Sequence, residues 1–146
     1  MKVAELMRKT VFTVNKDASV KECGDLIEKH NVNGLPVMDG DKMVGIITRA
    51  DIFKSILPTY SEIYVNETYL TDFEFIEERI HKINELKAKD IMTPNPQTLE
   101  QDVPLVKAGA LMILRKVKQM PVVEKGRLVG IITLTDICRS FLNRAK

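Results

Sequence analysis

The sequence predicts an α+β fold made of two tandem copies of one β-α-β-β-α unit. Three observations predict it. First, the chain repeats itself: with Pro36 placed on Pro121, residues 2–57 match residues 87–142 without a gap, the mark of a tandem duplication. The densest block, Val44-Gly45-Ile46-Ile47-Thr48-x-x-Asp51-Ile52, returns as Val129-Gly130-Ile131-Ile132-Thr133-x-x-Asp136-Ile137. Second, the apolar spacing inside each copy switches between the helical and the strand period in the same order. Third, 146 residues that are 45% hydrophobic and 29% charged suit one domain, or two small ones sharing a core. The copies occupy residues 1–57 and 87–146, and residues 58–86 form an insert between them.

Each element has a local cause. Phe12-Thr13-Val14 is read as the first strand, with Gln97-Thr98-Leu99 as its counterpart. Asp17 and Ser19 then open a helix, since Ser19-x-x-Glu22 has capping-box spacing. Pro104 falls in the first turn of the second copy's helix, where a missing N–H costs little. Val20, Cys23, Gly24 and Ile27 sit at i, i+3, i+4 and i+7, as do Leu105, Ala108, Gly109 and Met112. A glycine inside a helix costs about 1 kcal/mol relative to Ala, so one on the apolar face of both copies predicts a close backbone approach there. Strands over 35–38 and 43–47 flank the turn Asp39-Gly40-Asp41-Lys42 as a hairpin, and Glu124-Lys125-Gly126-Arg127 turns the second copy. A second helix follows Thr48 and Thr133, with Ile52, Ile56, Ile137 and Phe141 as core candidates. A unit of about 56 residues is marginal alone, so the two copies are predicted to pack together.

The insert differs in character. Pro58 stops the preceding helix, and Tyr60, Tyr64 and Tyr69 all lie in it. Thr71-x-x-Glu74 has capping-box spacing, and Phe73, Ile76, Ile80 and Ile83 form an apolar stripe on a helix running to about Leu86. That helix is read as packing on its own module, with a partner contact through the Tyr-rich stretch as the alternative.

Several function classes drop out. Lys and Arg number 22 against 20 Asp and Glu, a net charge of +2, so bulk electrostatics gives no reason for nucleic acid or an anionic membrane. No apolar run reaches the roughly 18 residues of a membrane span, and the N-terminus has no signal-peptide stretch. Cys23 and Cys138 form neither a Cys-x-x-Cys nor a metal pattern, which makes the reducing cytoplasm the default. Both are read as core fillers, His30 as a solvated cation at a helix end, and His81 as part of an exposed face. No nucleophile–base pair, metal-ligand cluster or Walker loop marks an enzyme.

The chemistry lies in the two Gly-Ile-Ile-Thr-x-x-Asp blocks. A strand ending in Thr at a helix N-terminus presents free backbone N–H groups and the positive end of the helix dipole, which favour phosphate. The Thr hydroxyl adds a donor, and an Asp carboxylate can accept from both hydroxyls of a ribose. The glycine admits close approach of backbone or ligand. Thr48-x-x-Asp51 is also, by itself, a capping box with Asp at the third helical position. Its recurrence behind a hairpin in a duplicated unit moves the balance toward a ligand site.

These pieces resemble the CBS motif, named after cystathionine β-synthase: Thr-Val or Thr-Leu at the first strand, Leu-Pro-Val or Met-Pro-Val at the second, and Gly-Ile-Ile-Thr-x-x-Asp ending the third. A tandem pair resembles a Bateman module. The resemblance covers residues 2–57 and 87–142 and implies repeats related by a pseudo-twofold axis, with clefts between them for AMP, ADP, ATP or S-adenosylmethionine. By that likeness Thr48 and Thr133 touch ribose or phosphate, and Asp51 and Asp136 hold the ribose hydroxyls. Backbone around Thr13, Thr98, Leu35, Pro36, Met120 and Pro121 lines the adenine. Lys118 stands where many members carry a basic residue for phosphate; its counterpart Asn33 departs from that.

The sequence is therefore read as a stand-alone regulatory module that responds to an adenosine-containing ligand by changing conformation. It needs no resident cofactor, Mg²⁺ entering only with ATP. The resemblance implies a homodimer, with Ile52, Ile56, Ile137 and Phe141 supplying apolar surface, and an effector protein of unknown identity. A nucleic-acid-binding module or an enzyme with an unrecognised site is the alternative. One asymmetry is also expected. Arg49 follows Thr48 where Leu134 follows Thr133, and Arg8 and Lys9 match Thr93 and Pro94, so the Thr48/Asp51 site is expected to hold polyphosphates more strongly.

Overall fold

The computed structural model describes residues 1–58, 64 and 71–145. In chain order the first repeat gives α1 (Val3–Leu6), β1 (Val14–Asn15), α2 (Val20–His30), β2 (Gly34–Asp39), β3 (Lys42–Thr48) and α3 (Arg49–Ile56). The insert gives α4 (Phe73–Lys82) and a 3₁₀ turn (Ile83–Glu85). The second repeat gives α5 (Ala88–Ile91), β4 (Thr93–Pro94), β5 (Leu99–Glu100), α6 (Leu105–Arg115), β6 (Gln119–Glu124), β7 (Arg127–Thr133) and α7 (Leu134–Arg144).

Local chemistry places most boundaries. The Ser19 side chain accepts the Glu22 backbone N–H at the start of α2, and Asn31 ends that helix at φ 48°, a left-handed conformation Asn tolerates. Val20, Cys23 and Ile27 point inward from α2, as do Leu105, Ala108 and Met112 from α6. Pro104 stands just outside α6, as its N-cap residue. Lys125 and Gly126 take φ 51° and 79°, the paired positive values of a type I′ hairpin turn. The first strands are two residues long and begin later than the sequence suggests. Phe12 and Thr13 stay outside β1, because only Val14 and Asn15 find parallel partners, Val37 and Met38. In the insert, Asp72 rather than Thr71 caps α4 by accepting the Phe75 N–H. Helix α4 leans on α3 and the 3₁₀ turn on α2, although Phe73 at its start is exposed. Tyr60 and Tyr69 lie outside the described residues; Tyr64 is exposed.

The repeats trade their leading segments. Arg8 exchanges both backbone hydrogen bonds with Ile131 of β7, at 2.8 and 3.0 Å. Thr93 and Pro94 pair in the same way with Ile46 and Gly45 of β3, giving the sheet β1-β2-β3-β4 beside β5-β6-β7. The cores follow the exchange. Val3 is buried with Leu99, Leu105, Met112, Ile132 and Ile137, whereas Ala88 is buried with Cys23, Ile27, Leu35 and Ile47. The glycine of each Gly-Ile-Ile-Thr block is explained by this crossing. A Cβ on Gly45 would stand 2.8 Å from the Thr93 carbonyl oxygen, and one on Gly130 would stand 3.0 Å from that of Arg8. It is backbone, not a ligand, that these two glycines admit. The mid-helix glycines do not mark a comparable approach: a Cβ on Gly24 or Gly109 would meet only Ile52 or Ile137, at 3.7 and 3.6 Å. Among the described residues no helix is long and apolar enough to cross a membrane.

Candidate functional site

Thr48 and Thr133 end their strands and cap α3 and α7, each accepting the backbone N–H of the Asp three residues on. The two carboxylates then diverge. Asp51 closes the capping box, its Oδ2 accepting the Thr48 N–H at 3.0 Å, while Oδ1 accepts the Thr93 hydroxyl at 3.2 Å. Asp136 instead turns to Arg8, whose Nε and Nη2 donate to Oδ2 and Oδ1 at 3.1 and 3.0 Å, with Arg139 at 3.4 Å. Burial pushes the Asp136 carboxyl pKa up, but hydrogen bonds from Arg8 and Thr133 and the charges of Arg8 and Arg139 outweigh it and hold the group below its ordinary value.

Around Thr133 the repeats enclose a cleft of about 320 Å³, at the small end of ligand pockets. The first repeat supplies Arg8, Thr10, Val11 and Phe12 ahead of β1, residues 31–33 between α2 and β2, and Gly34 at the start of β2; the second supplies Gln119, Ile131, Thr133 and Thr135. Gln119 Nε2 is buried and has no hydrogen-bond partner among the described residues, an orphan donor of the kind a ligand acceptor can satisfy. A broader groove of about 560 Å³ lies on the other side of the segment before β1, between Thr13, Asp41, Lys9 and Arg127. It contains no member of either Thr–Asp pair, whereas the smaller cleft contains Thr133, which makes the smaller cleft the candidate site.

The structure does not bring all the sequence-predicted residues together. Thr133 and Arg8 line the cleft, Asp136 lies behind them in the grip of Arg8, and Thr48 and Asp51 hold the matching positions of the first repeat, outside both clefts. Lys118 is exposed, with its carbonyl accepting the Leu134 N–H. Leu35, Pro36, Met120 and Pro121 are buried in the sheets, and the wall is made by the residues just ahead of them. Thr13 faces the broader groove, while Thr98 is exposed ahead of β5.

Arg49 does not reach its own Thr48 site. It donates to Glu28 at 3.0 Å and to the Val32 carbonyl at 2.9 Å, bracing the loop that walls the Asp136 cleft. The charges behind the expected asymmetry thus lie elsewhere: Arg8 holds Asp136 and Lys9 stands beside Arg127, because the leading segments are exchanged. His30 ends α2 as expected, and its ring is half-buried and stacked on Phe12 at 3.6 Å and 9°. Cys138 is exposed rather than a core filler. Phe12 and residues 31–34 were missed as site residues; their signal was their position ahead of the matched strands, facing the other repeat's Thr–Asp block.

The pattern of the CBS domain matches residues 3–58 and again 88–143. This chain belongs to the CBS-domain family. A CBS domain-containing protein of Dictyostelium discoideum is 33% identical over 141 residues, covering 92% of this chain and 87% of that one. Inosine-5'-monophosphate dehydrogenase of Methanocaldococcus jannaschii is 34% identical over 140 residues, 94% of this chain but 23% of the enzyme; the CBS pair is a minor part of that relative. Among solved structures, the CBS domain pair of protein MJ0100 in complex with 5-methylthioadenosine and S-adenosyl-L-methionine has a TM-score of 0.74 at 29% identity, covering 99% of this chain and 98% of the other. The CBS protein CBSX2 of Arabidopsis thaliana in complex with AMP gives 0.75 at 26%, with the same two coverages.

Proposed function

We propose that the chain is a regulatory CBS module that binds an adenosine-containing ligand between its repeats and answers by changing conformation, without catalysis. The observation that carries this is Thr133, at the N-terminus of an eleven-residue helix, opening on an inter-repeat cleft with an orphan amide donor, with Asp136 behind it in the grip of the cleft-lining Arg8. Related pairs solved with AMP, or with 5-methylthioadenosine and S-adenosyl-L-methionine, support adenosine as the shared part. Asp136 and Asp51 would accept from ribose hydroxyls, Thr133 and Thr48 would meet ribose or phosphate beside helix N–H groups, and Lys118 would reach phosphate. Mg²⁺ would enter only with ATP, and the cytoplasm is the compartment proposed. The remaining partners are an effector protein and a second copy of the chain.

Ribose recognition gives the test. AMP should bind more tightly than 2′-deoxy-AMP or free adenine in calorimetric titration, and should raise the melting temperature. A ligand at 100 times its Kd stabilises the fold by about 2.7 kcal/mol. Equal affinity for AMP and 2′-deoxy-AMP would remove the ribose role from both aspartates.

A further inference from the structure

We propose that Arg8 sets the ligand class of the Asp136 cleft. It admits adenosine ligands that carry phosphate and disfavours uncharged ones, a condition that the Thr48/Asp51 pair of the first repeat does not impose. The inference rests on the adenosine reading above and adds which chemistry each cleft selects.

Asp136 has a side chain only 9% exposed, and Arg8 grips both of its oxygens from a position 56% exposed. A two-pronged guanidinium–carboxylate pair is among the stronger polar contacts a protein makes. The backbone of Arg8 is held to Ile131 by hydrogen bonds in both directions, so the guanidinium can swing along the cleft it lines but cannot leave. Ribose hydroxyls that take Asp136 must displace it. A ligand with phosphate offers the displaced guanidinium a new anion, and the charge-assisted bonds lost at Asp136 are regained at the ligand. An uncharged nucleoside breaks the same pair and returns nothing to Arg8 but water.

The duplicated site lacks this exchange. Thr93, the counterpart of Arg8, gives Asp51 one neutral hydroxyl bond at 3.2 Å, and a ribose hydroxyl can replace it like for like. Lys118 is exposed and holds no carboxylate among the described residues, so it can meet phosphate without having to be displaced first. The chain thus carries one Thr–Asp pair whose use depends on an anion and one whose use does not.

The full chain carrying Asp51→Ala confines the readout to the Asp136 cleft, and AMP and adenosine are the probes in calorimetric titration. AMP is expected to bind about tenfold or more tightly than adenosine, the size of one charge-assisted hydrogen bond. Adding Arg8→Ala should weaken AMP and strengthen adenosine, bringing the ratio near one. Arg8→Gln, which keeps most of the side-chain length, should do the same. The rise in adenosine affinity is the decisive sign, because loss of a simple phosphate contact would leave adenosine unmoved. A ratio that survives Arg8→Ala, or that falls only through weaker AMP binding, overturns the inference and leaves the adenosine reading standing. Failure of the unsubstituted chain to bind either probe overturns both.

Discussion

Cys23 lies on the inward face of α2 with no exposed surface, where losing water costs a thiolate far more than a thiol. Burial, helped by the nearby Glu22 carboxylate, pushes its pKa up to about 11, so at pH 8 the group stays protonated and shielded. Cys138, on the outer side of α7, is exposed. A thiol reagent at pH 8 should therefore titrate one cysteine in the native chain and two in guanidinium; two fast equivalents in the native chain would mean Cys23 is not where the fold puts it. Sequence spacing was enough to place Cys23, since its helical period and its alignment with Ala108 both point inward. The same alignment misled at Cys138, matched to Phe53, which is itself exposed. Site residues show the same division. Thr133 and Asp136 are legible because a strand–Thr–helix junction is local, whereas the grip of Arg8 on Asp136 spans 128 positions and leaves no trace in either neighbourhood.

Helices and hairpins were readable because their apolar period and turn residues are written within a dozen positions. The crossing segments were not. Each contributes one or two bridged residues to a sheet on the other side of the molecule, and no pattern of that length separates a strand from a loop. Their imprint is instead on the glycines they cross. Gly45→Ala and Gly130→Ala force a methyl against a carbonyl oxygen and should each destabilise the fold by about 1–3 kcal/mol, the usual cost of overpacking. Gly24→Ala and Gly109→Ala meet only an isoleucine side chain at ordinary contact distance and should stabilise by roughly 0.5–1 kcal/mol through helix propensity. Urea unfolding of the four variants would show this reversal of sign, and four losses of similar size would contradict the difference in packing.

Duplication did not keep the two outer faces alike. On α6, Val106, Ile113 and Leu114 are 69%, 65% and 76% exposed, where α2 carries Lys21, Glu28 and Lys29 at the matching positions. On α7, Phe141 and Leu142 extend the apolar surface, while Ile137, expected to help form it, is turned into the core at 2% exposure. A helix apolar on all sides normally has a partner on each. A second copy meeting this one through the second repeats would cover the patch, because the charged face of α2 offers no equivalent. Light scattering should then give twice 16.6 kDa for the chain and 16.6 kDa for Leu114→Glu; a monomer before the substitution would remove the dimer from the proposed function. The exchange of leading segments also has a consequence for the order in which the chain is made. Residues 1–8 are translated before the first repeat's own strands yet pack on the second repeat, with Arg8 bridged to Ile131, and the outer edge of β3 has no partner until Thr93 and Pro94 emerge. An unpaired edge is the part of a nascent sheet most open to wrong pairing. For this protein that interval lasts through synthesis of the whole insert, and the first repeat closes only when the second has begun.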